Sequence, residues 1–423
     1  MRNSFIMRKG LFFLIFSSFF TSSIAEETDS LRHWGMQLEV NPCWVPTMDK
    51  QIKDLVKTNG AATLGLQFSR ATLPADNDLF AADFGYPTFA FGLNYNIYNH
   101  VKLYRDAGGD LGLGKPVDYQ STLGNSLSAY ASFERPFFRN KHWEADYAFN
   151  IGLGFSRLKY DKESQVDNLM ISSNVLIFFG AGFHATYHLS DDWGIKAGVE
   201  FNHHSSGTIT RPNKGSNTVG PMIGLVYTPY YAEQLKVSGV KPTGDFEKSK
   251  YLNFSLNVGM KTLYEDWLQT QFWTLPEDES YRTNDFKHYV SYAFQADYMS
   301  RYARRWASGI GLDFYYLSYM NHVRDLDKQN GYSESHSPFS LGISGKHEVF
   351  FHNISLSMSL GFYLFRQHGH KAKEVEQPFY ETIGVKYHVP KWNNIAFGAY
   401  VRAHAFKADN TGLSISCPIF LKR

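Results

Sequence analysis

A repeating alternation of apolar residues with polar or small ones constrains this chain more than any other feature. In residues 143–156 every second position carries an apolar residue, such as Trp143, Tyr147 and Phe149, and most of the positions between them carry polar or small residues. Residues 354–364 and 395–402 repeat the pattern. Successive side chains of a strand point to opposite faces of a sheet, so this period indicates strands with one apolar face. These segments are also longer than the about five or six residues usual for strands of soluble proteins.

The composition indicates which solvent the apolar face meets. The mean hydropathy of the chain is negative, yet 17% of its residues are aromatic. A strand that crosses a membrane needs apolar residues only at every second position. The mixture therefore favours a transmembrane barrel with lipid outside and a polar lumen.

The connections between these segments alternate in length. Short polar turns occur at 139–141, 190–192, 352–353 and 390–391, and longer polar segments lie at 101–121, 262–285 and 321–336. Outer-membrane barrels pair short periplasmic turns with longer outer loops. That arrangement puts Trp143, Trp193, Trp306 and Trp392 at the inner starts of outgoing strands, where an aromatic girdle is expected. We therefore predict an all-β fold, a transmembrane antiparallel β-barrel of about 14–16 strands.

Residues 1–25 have the pattern of a signal peptide. A basic start precedes an apolar run at 11–20, and Ser23 and Ala25 form a small-x-small cleavage site. The run is shorter than the about 20 residues that span a bilayer. We expect cleavage near Ala25 and a mature chain in the outer membrane.

The strand pattern divides the mature chain into an eight-strand half at 26–229, a connector at 230–249 and a second strand half at 250–423. The pattern leaves open whether the halves form one barrel or two.

Charge and cysteine content exclude several classes of protein. Lys and Arg total 42 against 40 Asp and Glu, and residues 1–25 remove three positive charges and no negative ones. The mature chain is therefore close to neutral, which gives no electrostatic case for nucleic acid. Cys43 and Cys417 are too few for a disulfide scaffold. Their pairing stays open, because closing a single barrel would make the first and last strands neighbours.

A polar motif ends the strand that begins at Trp193. His203 and Ser205 continue the apolar face of this strand, because side chains on one face recur every two residues. The returning strand begins its apolar face at Asn217, and a hairpin closing through 206–216 places Asn217 beside His203. A nucleophile, a general base and an amide that orients the base then share the lipid-facing surface. This spacing is consistent with a serine hydrolase.

Two other interpretations apply to the same residues. Polar side chains become frequent wherever a strand leaves the membrane, and His-x-Ser is a common tripeptide. A metal site at His203 and His204 is disfavoured, because neighbouring strand residues point to opposite faces. We accordingly predict no metal and no cofactor.

The motif resembles that of the lipid A 3-O-deacylase (PagL-type) family, also called acyloxyacyl hydrolases, in the runs Phe201-x-His203-x-Ser205-x-Gly207 and Pro212-Asn213-x-Gly215-x-Asn217. The resemblance covers the hairpin at 193–227, and the eight-strand layout of 31–229 suits that family's small barrel. It implies His203 as base, Ser205 as nucleophile and position 217 as third member, where the family has an acidic residue. It links the position after the nucleophile, here Ser206, to the oxyanion hole. The backbone N–H of the adjacent Gly207 is our own second candidate for an oxyanion donor.

The amide at position 217 is also similar to outer-membrane phospholipase A, whose triad is Ser-His-Asn and which is calcium-dependent and dimeric. The Pro-Asn-x-Gly-x-Asn continuation favours the deacylase. Our hypothesis is a serine esterase acting on the 3-linked acyl ester of lipid A, in the lipopolysaccharide of the outer leaflet. The alternatives are a phospholipase A, or a non-catalytic channel or scaffold barrel.

Overall fold

The alternating pattern forms two separate barrels. The computed structural model describes residues 33–47, 49–105, 121–236 and 246–421. Within them the chain builds two closed antiparallel barrels of eight strands each, which confirms the predicted all-β barrel fold. The signal segment at 1–25 lies outside the described residues.

The first barrel closes within the first half of the chain. Its strands follow the order β1-β11-β10-β9-β8-β7-β4-β3, and β2, β5 and β6 form a small sheet of their own. The strands are β1 (Trp34–Trp44), β2 (Val56–Thr58), β3 (Gly60–Ala71), β4 (Thr88–Ile97), β5 (Lys102–Leu103), β6 (Ser121–Thr122), β7 (Ser126–Arg139), β8 (Trp143–Ser156), β9 (Val175–His188), β10 (Trp193–Ser205) and β11 (Ser216–Tyr227).

The second barrel is an up-and-down meander that closes between its first and last strands. Its strands are β12 (Ser249–Lys261), β13 (Tyr289–Ala303), β14 (Trp306–Leu317), β15 (Phe339–Phe351), β16 (Ile354–Phe365), β17 (Phe379–Val389), β18 (Ile395–His404) and β19 (Lys407–Phe420). Cys43 on β1 and Cys417 on β19 therefore lie in different barrels, and both are free thiols.

The helices are short and lie in the connections. They are α1 (Lys50–Leu55), α2 (Leu79–Phe84), α3 (Tyr231–Gln234), α4 (Tyr264–Leu268), α5 (Met320–Gln329) and α6 (His370–Val375), with 3-10 turns at Pro74–Asp76 and Pro390–Trp392 and a π-helix at Gln269–Trp273. Over the described ranges, no helix has the length and apolar character needed to cross a membrane.

The strands are apolar outside and polar inside. On β8 and β9, Ile151 and Phe183 point outward with 46% and 69% of their surface exposed, whereas Asn150 and His184 are buried in the lumen. Charged side chains fill the lumen as pairs, such as Lys196 with Glu134 at 2.8 Å. This is the arrangement expected when lipid replaces water around a sheet, and eight strands leave room inside for little more than side chains.

The barrels touch at both ends. We call the end with loops 206–215 and 262–288 the outer end, and the end with the short turns near 140 and 190 the inner end. At the outer end, Met170 and Ile171 of the first barrel share one buried apolar cluster with Trp267 and Phe286 of the second. At the inner end, Arg304 pairs with Asp83 of α2 at 3.0 Å, with side chains 7% and 0% exposed. The inner contact thus contains a buried ion pair between the barrels.

Replacing Asp83 by Asn is expected to destabilise the protein by about 3 kcal/mol, because the Arg304 guanidinium would lose the buried carboxylate with which it pairs. The measurement is the free energy of unfolding of the full chain in detergent micelles. Asp325→Asn is the control, because the Arg324–Asp325 pair is largely exposed, at 43% and 60%, and should contribute little. Equal losses in the two variants would contradict a structural role for the buried pair.

Candidate functional site

The hairpin of β10 and β11 brings the three predicted site residues together. His203 pairs directly with Asn217 across the two strands, and Ser205 lies beside Ile177 of β9. The intervening His204 points into the lumen, where its Nε2 lies 2.8 Å from Ser128 Oγ. His203 and Ser205 therefore lie on the outward face, as the period of two requires.

These three side chains form a continuous hydrogen-bonded chain. Asn217 Oδ1 accepts a hydrogen bond from His203 Nδ1 at 2.6 Å, and His203 Nε2 lies 2.9 Å from Ser205 Oγ. Because an amide oxygen only accepts, Nδ1 carries the proton and Nε2 is free to receive one from the serine hydroxyl. The geometry matches the order nucleophile, base and orienting group.

The loop after Ser205 presents one backbone amide to the Ser205 hydroxyl. Gly207 has φ +64°, a left-handed conformation that favours glycine, and its N–H points at Ser205 Oγ over 3.3 Å. The N–H of Ser206 instead donates to Asn213 Oδ1 at 3.0 Å. Of the two candidate amides for an oxyanion, that of Gly207 therefore faces the Ser205 hydroxyl, whereas that of Ser206 is already hydrogen-bonded to Asn213.

Asn213 holds this loop in shape, a role that the sequence analysis did not assign. Its Oδ1 accepts from the N–H of Ser206 and its Nδ2 donates to the carbonyl oxygen of Gly207, so one side chain bonds to both residues that follow Ser205. The signal was present in the Pro212-Asn213 pair, because an amide in a turn commonly bonds to nearby backbone.

Gly215 lies against the imidazole ring of His203. It has φ +76°, and a Cβ at this position would come within 2.7 Å of His203 Cε1. Any larger residue would therefore displace the ring from Asn217 and Ser205. The amides of Lys214 and Gly215 bond to the carbonyls of Leu169 and Met170, at 2.9 Å and 3.1 Å, which fixes the loop to the β8–β9 connection.

Two cations lie on the same loop, at the end of the barrel where lipid headgroups are expected. Arg211 and Lys214 lie 5.7 Å and 5.9 Å from the ring centre of Tyr264, and Lys214 also pairs with Asp49 at 3.0 Å. Burial lowers the pKa of Lys214, and the neighbouring Asp49 carboxylate opposes this shift. Burial likewise lowers the pKa of Arg211, opposed mainly by Glu265.

One group of metal-ligand side chains lies elsewhere in the described structure. Glu376, His404 and Asp409 of the second barrel place their ligand atoms within 4.8 Å of one another. Asp409 already pairs with Lys261 at 2.5 Å and with Arg402. Two cations on the same carboxylate compete with a metal ion, so this group is better explained as a lumen ion network.

Each half of the chain matches a model of a known protein family. The family model described as "Lipid A 3-O-deacylase (PagL)" matches residues 88–226, and that described as "Acyloxyacyl hydrolase, C-terminal domain" matches 250–417. No curated protein matches. The solved structure of the outer membrane enzyme PagL is 16% identical, with 45% of this chain and 97% of that chain covered and a TM-score of 0.28.

Two further solved structures are similar over most of this chain. Omp33 of Acinetobacter baumannii is 9% identical, with 92% of this chain and 99% of that chain covered and a TM-score of 0.15. An outer membrane channel from Pseudomonas putida F1 is 8% identical, with coverages of 94% and 98% and a TM-score of 0.20.

Proposed function

Because this chain belongs to the lipid A 3-O-deacylase (PagL-type) family of outer-membrane barrels, we propose that it hydrolyses the 3-linked fatty-acyl ester of lipid A. The observation that carries the proposal is the hydrogen-bonded chain from Asn217 through His203 to Ser205. It lies on the outward face at the outer end of a barrel, where outer-leaflet lipid is the neighbouring molecule.

The reaction follows from the positions of these groups. His203 Nε2 takes the proton of Ser205 as Oγ attacks the ester carbonyl, which gives a tetrahedral intermediate. The intermediate collapses to an acyl-enzyme, and the sugar hydroxyl leaves with the proton from His203. Water, deprotonated by the same nitrogen, then releases the fatty acid and restores the Ser205 hydroxyl. Asn217 keeps the Nδ1-protonated tautomer throughout.

Gly207 is the proposed donor to the oxyanion. Its N–H already faces Ser205 Oγ, so an ester oxygen bound at the attacked carbon would lie within its reach. One such donor contributes about 10²–10³-fold to kcat in well-studied hydrolases. Ser206 supports the arrangement indirectly, because its amide holds Asn213 and its hydroxyl accepts from Thr210 at 2.7 Å.

The charged and aromatic side chains buried inside both barrels argue against an open channel. In the first barrel Lys196, Glu200 and Tyr130 are buried inside the wall, and Lys261 and Arg402 are buried in the second. An eight-stranded barrel is about wide enough to be filled by side chains, whereas water-filled pores need many more strands. The described residues therefore favour chemistry on the outer wall.

Asn217→Leu is expected to lower kcat by about 10- to 100-fold with little change in KM, because the lost hydrogen bond leaves the imidazole free to rotate and change tautomer. The measurement is the steady-state rate of fatty-acid release by the purified full chain. Thr218→Val is the control, since Thr218 is the next residue on β11 and points into the lumen. Full activity in Asn217→Leu would exclude the amide from the site.

The substrate is tested with lipid A and a glycerophospholipid presented separately in mixed micelles of the same detergent. The proposal expects fatty-acid release from lipid A and little from the phospholipid. The reverse preference would assign the site to a phospholipase. Release from neither, by protein whose barrels are intact, would refute the hydrolase.

A further inference from the structure

The catalytic loop of the first barrel is bonded to the second barrel. Thr208 Oγ1 donates to the carbonyl oxygen of Met260 at 2.9 Å, and the N–H of Thr262 donates to the carbonyl oxygen of Thr208 at 2.9 Å. Met260 is the penultimate residue of β12, and Thr262 directly follows the strand. The residues that come directly after the nucleophile are therefore positioned partly by the second barrel.

Thr411 of β19, in the second barrel, lies next to Gly207 of the first barrel. It pairs with Met260 across β12 and β19, and a Cβ built on Gly207 would lie 2.6 Å from Thr411 Oγ1. The Thr411 hydroxyl therefore lies next to the residue whose N–H points at Ser205 Oγ. The missing Cβ at position 207 makes the close approach of the two barrels feasible.

The Thr411 hydroxyl has no hydrogen-bond partner among the described residues, although its oxygen is buried. A buried hydroxyl without a partner destabilises the folded protein, and Val would fill the same volume without that cost. A polar atom left unpaired beside a reacting group is therefore better explained by a partner that arrives with the substrate.

An apolar strip runs from Thr411 towards the middle of the membrane. Below the Met260–Thr411 pair, β12 and β19 place Val258 beside Leu413 and Leu256 beside Ile415, and all four side chains are exposed on the outer wall. On the first barrel, Ile177 Cδ1 lies 3.4 Å from the same Cβ position of Gly207. An acyl chain whose ester is at Ser205 has an apolar surface to follow on the second barrel.

We propose that the second barrel completes the substrate site, with Thr411 donating a hydrogen bond to the bound acyl ester and the outward faces of β12 and β19 forming one wall for its acyl chain. This inference rests on the proposed ester hydrolysis at Ser205 but does not depend on which lipid supplies the ester. It gives the second barrel a part in catalysis from the outer leaflet.

The test compares Thr411→Val and Thr411→Ser in the full chain. Two rates are measured, fatty-acid release from lipid A and covalent labelling of Ser205 by a long-chain alkyl fluorophosphonate, which needs no particular lipid. Thr411→Val is expected to lower kcat/KM and the labelling rate about tenfold, the effect of one hydrogen bond. Thr411→Ser is expected to stay within about twofold of the wild type, because it keeps the hydroxyl.

Ser344→Ala is the matched control, since Ser344 also has a buried hydroxyl without a partner but lies in the lumen of the second barrel. It should leave both rates unchanged. Thr411→Val should unfold at the wild-type temperature or above it, which separates a lost contact from a lost fold.

Unchanged rates in Thr411→Val would overturn the inference, and so would equal losses in Thr411→Val and Thr411→Ser, which would point to packing. A wild type that is labelled at Ser205 but does not attack lipid A would refute the proposed substrate alone. In that case the labelling rates of the two Thr411 variants still decide the role of the second barrel.

Discussion

Ser205→Ala is expected to lower kcat for fatty-acid release at least about 10³-fold, because removing the nucleophile of such a triad leaves only the binding and oxyanion contributions. The barrel should remain intact, since the change deletes one oxygen atom from a side chain at the end of a strand. Released fatty acid is quantified by mass spectrometry, and folding is checked by resistance of the barrel to unfolding in SDS.

Ser206→Ala is the control for this experiment. Ser206 is the next residue, and its hydroxyl contacts Thr210 rather than His203, so a loss of only a few-fold is expected. Comparable losses in the two variants would indicate a disturbed loop, and a fully active Ser205→Ala would remove Ser205 from the mechanism.

His203→Gln is expected to reduce the same rate by about 10³-fold or more, since Gln keeps a polar side chain but cannot take the proton of Ser205. The loss should appear in kcat, because the proposed role of His203 is proton transfer at the bound ester and not binding of the rest of the lipid. Labelling of Ser205 by a fluorophosphonate should slow as well, which provides a readout that is independent of the lipid.

The neighbouring histidine provides the control for His203. His204 points into the lumen and contacts Ser128, so His204→Gln should lower stability more than catalysis. If His204→Gln lost as much activity as His203→Gln at equal folding, the outward-facing site would be the wrong one.

Local periodicity was enough to predict the strands and the outward face of the site. The outward direction of the Phe149 and Ile151 side chains depends only on the alternation of side chains along one strand. The meeting of His203 with Asn217 depends only on a hairpin, whose two strands are joined by a short loop. Both features follow from residues close together in the chain, so the sequence pattern predicted them.

The number of barrels could not be predicted in the same way. Closure of the first barrel depends on β1 pairing with β11, for example Val40 with Ile223, residues that are far apart in sequence. Any outward-apolar strand satisfies the same alternation, so the pattern is identical for one barrel of sixteen strands and two of eight. The position of Cys43 relative to Cys417 depended on that choice.

The contacts between the barrels could not be predicted from the sequence either. Thr411 is one polar residue on the outward face of a late strand, and only the packing of the two barrels places it beside Gly207. Arg304 and Asp83 likewise meet only because α2 of the first barrel docks on the β13–β14 turn of the second. Such contacts have no local signature, because they depend on how two separately closed sheets lie together.

The most direct test of the proposed function is mass spectrometry of lipid A from cells that express the wild type or Ser205→Ala at equal levels in the outer membrane. The account expects lipid A lacking one ester-linked acyl chain with the wild type only. Unchanged lipid A in both strains, with both proteins folded in the membrane, would contradict the assignment of this site to lipid A.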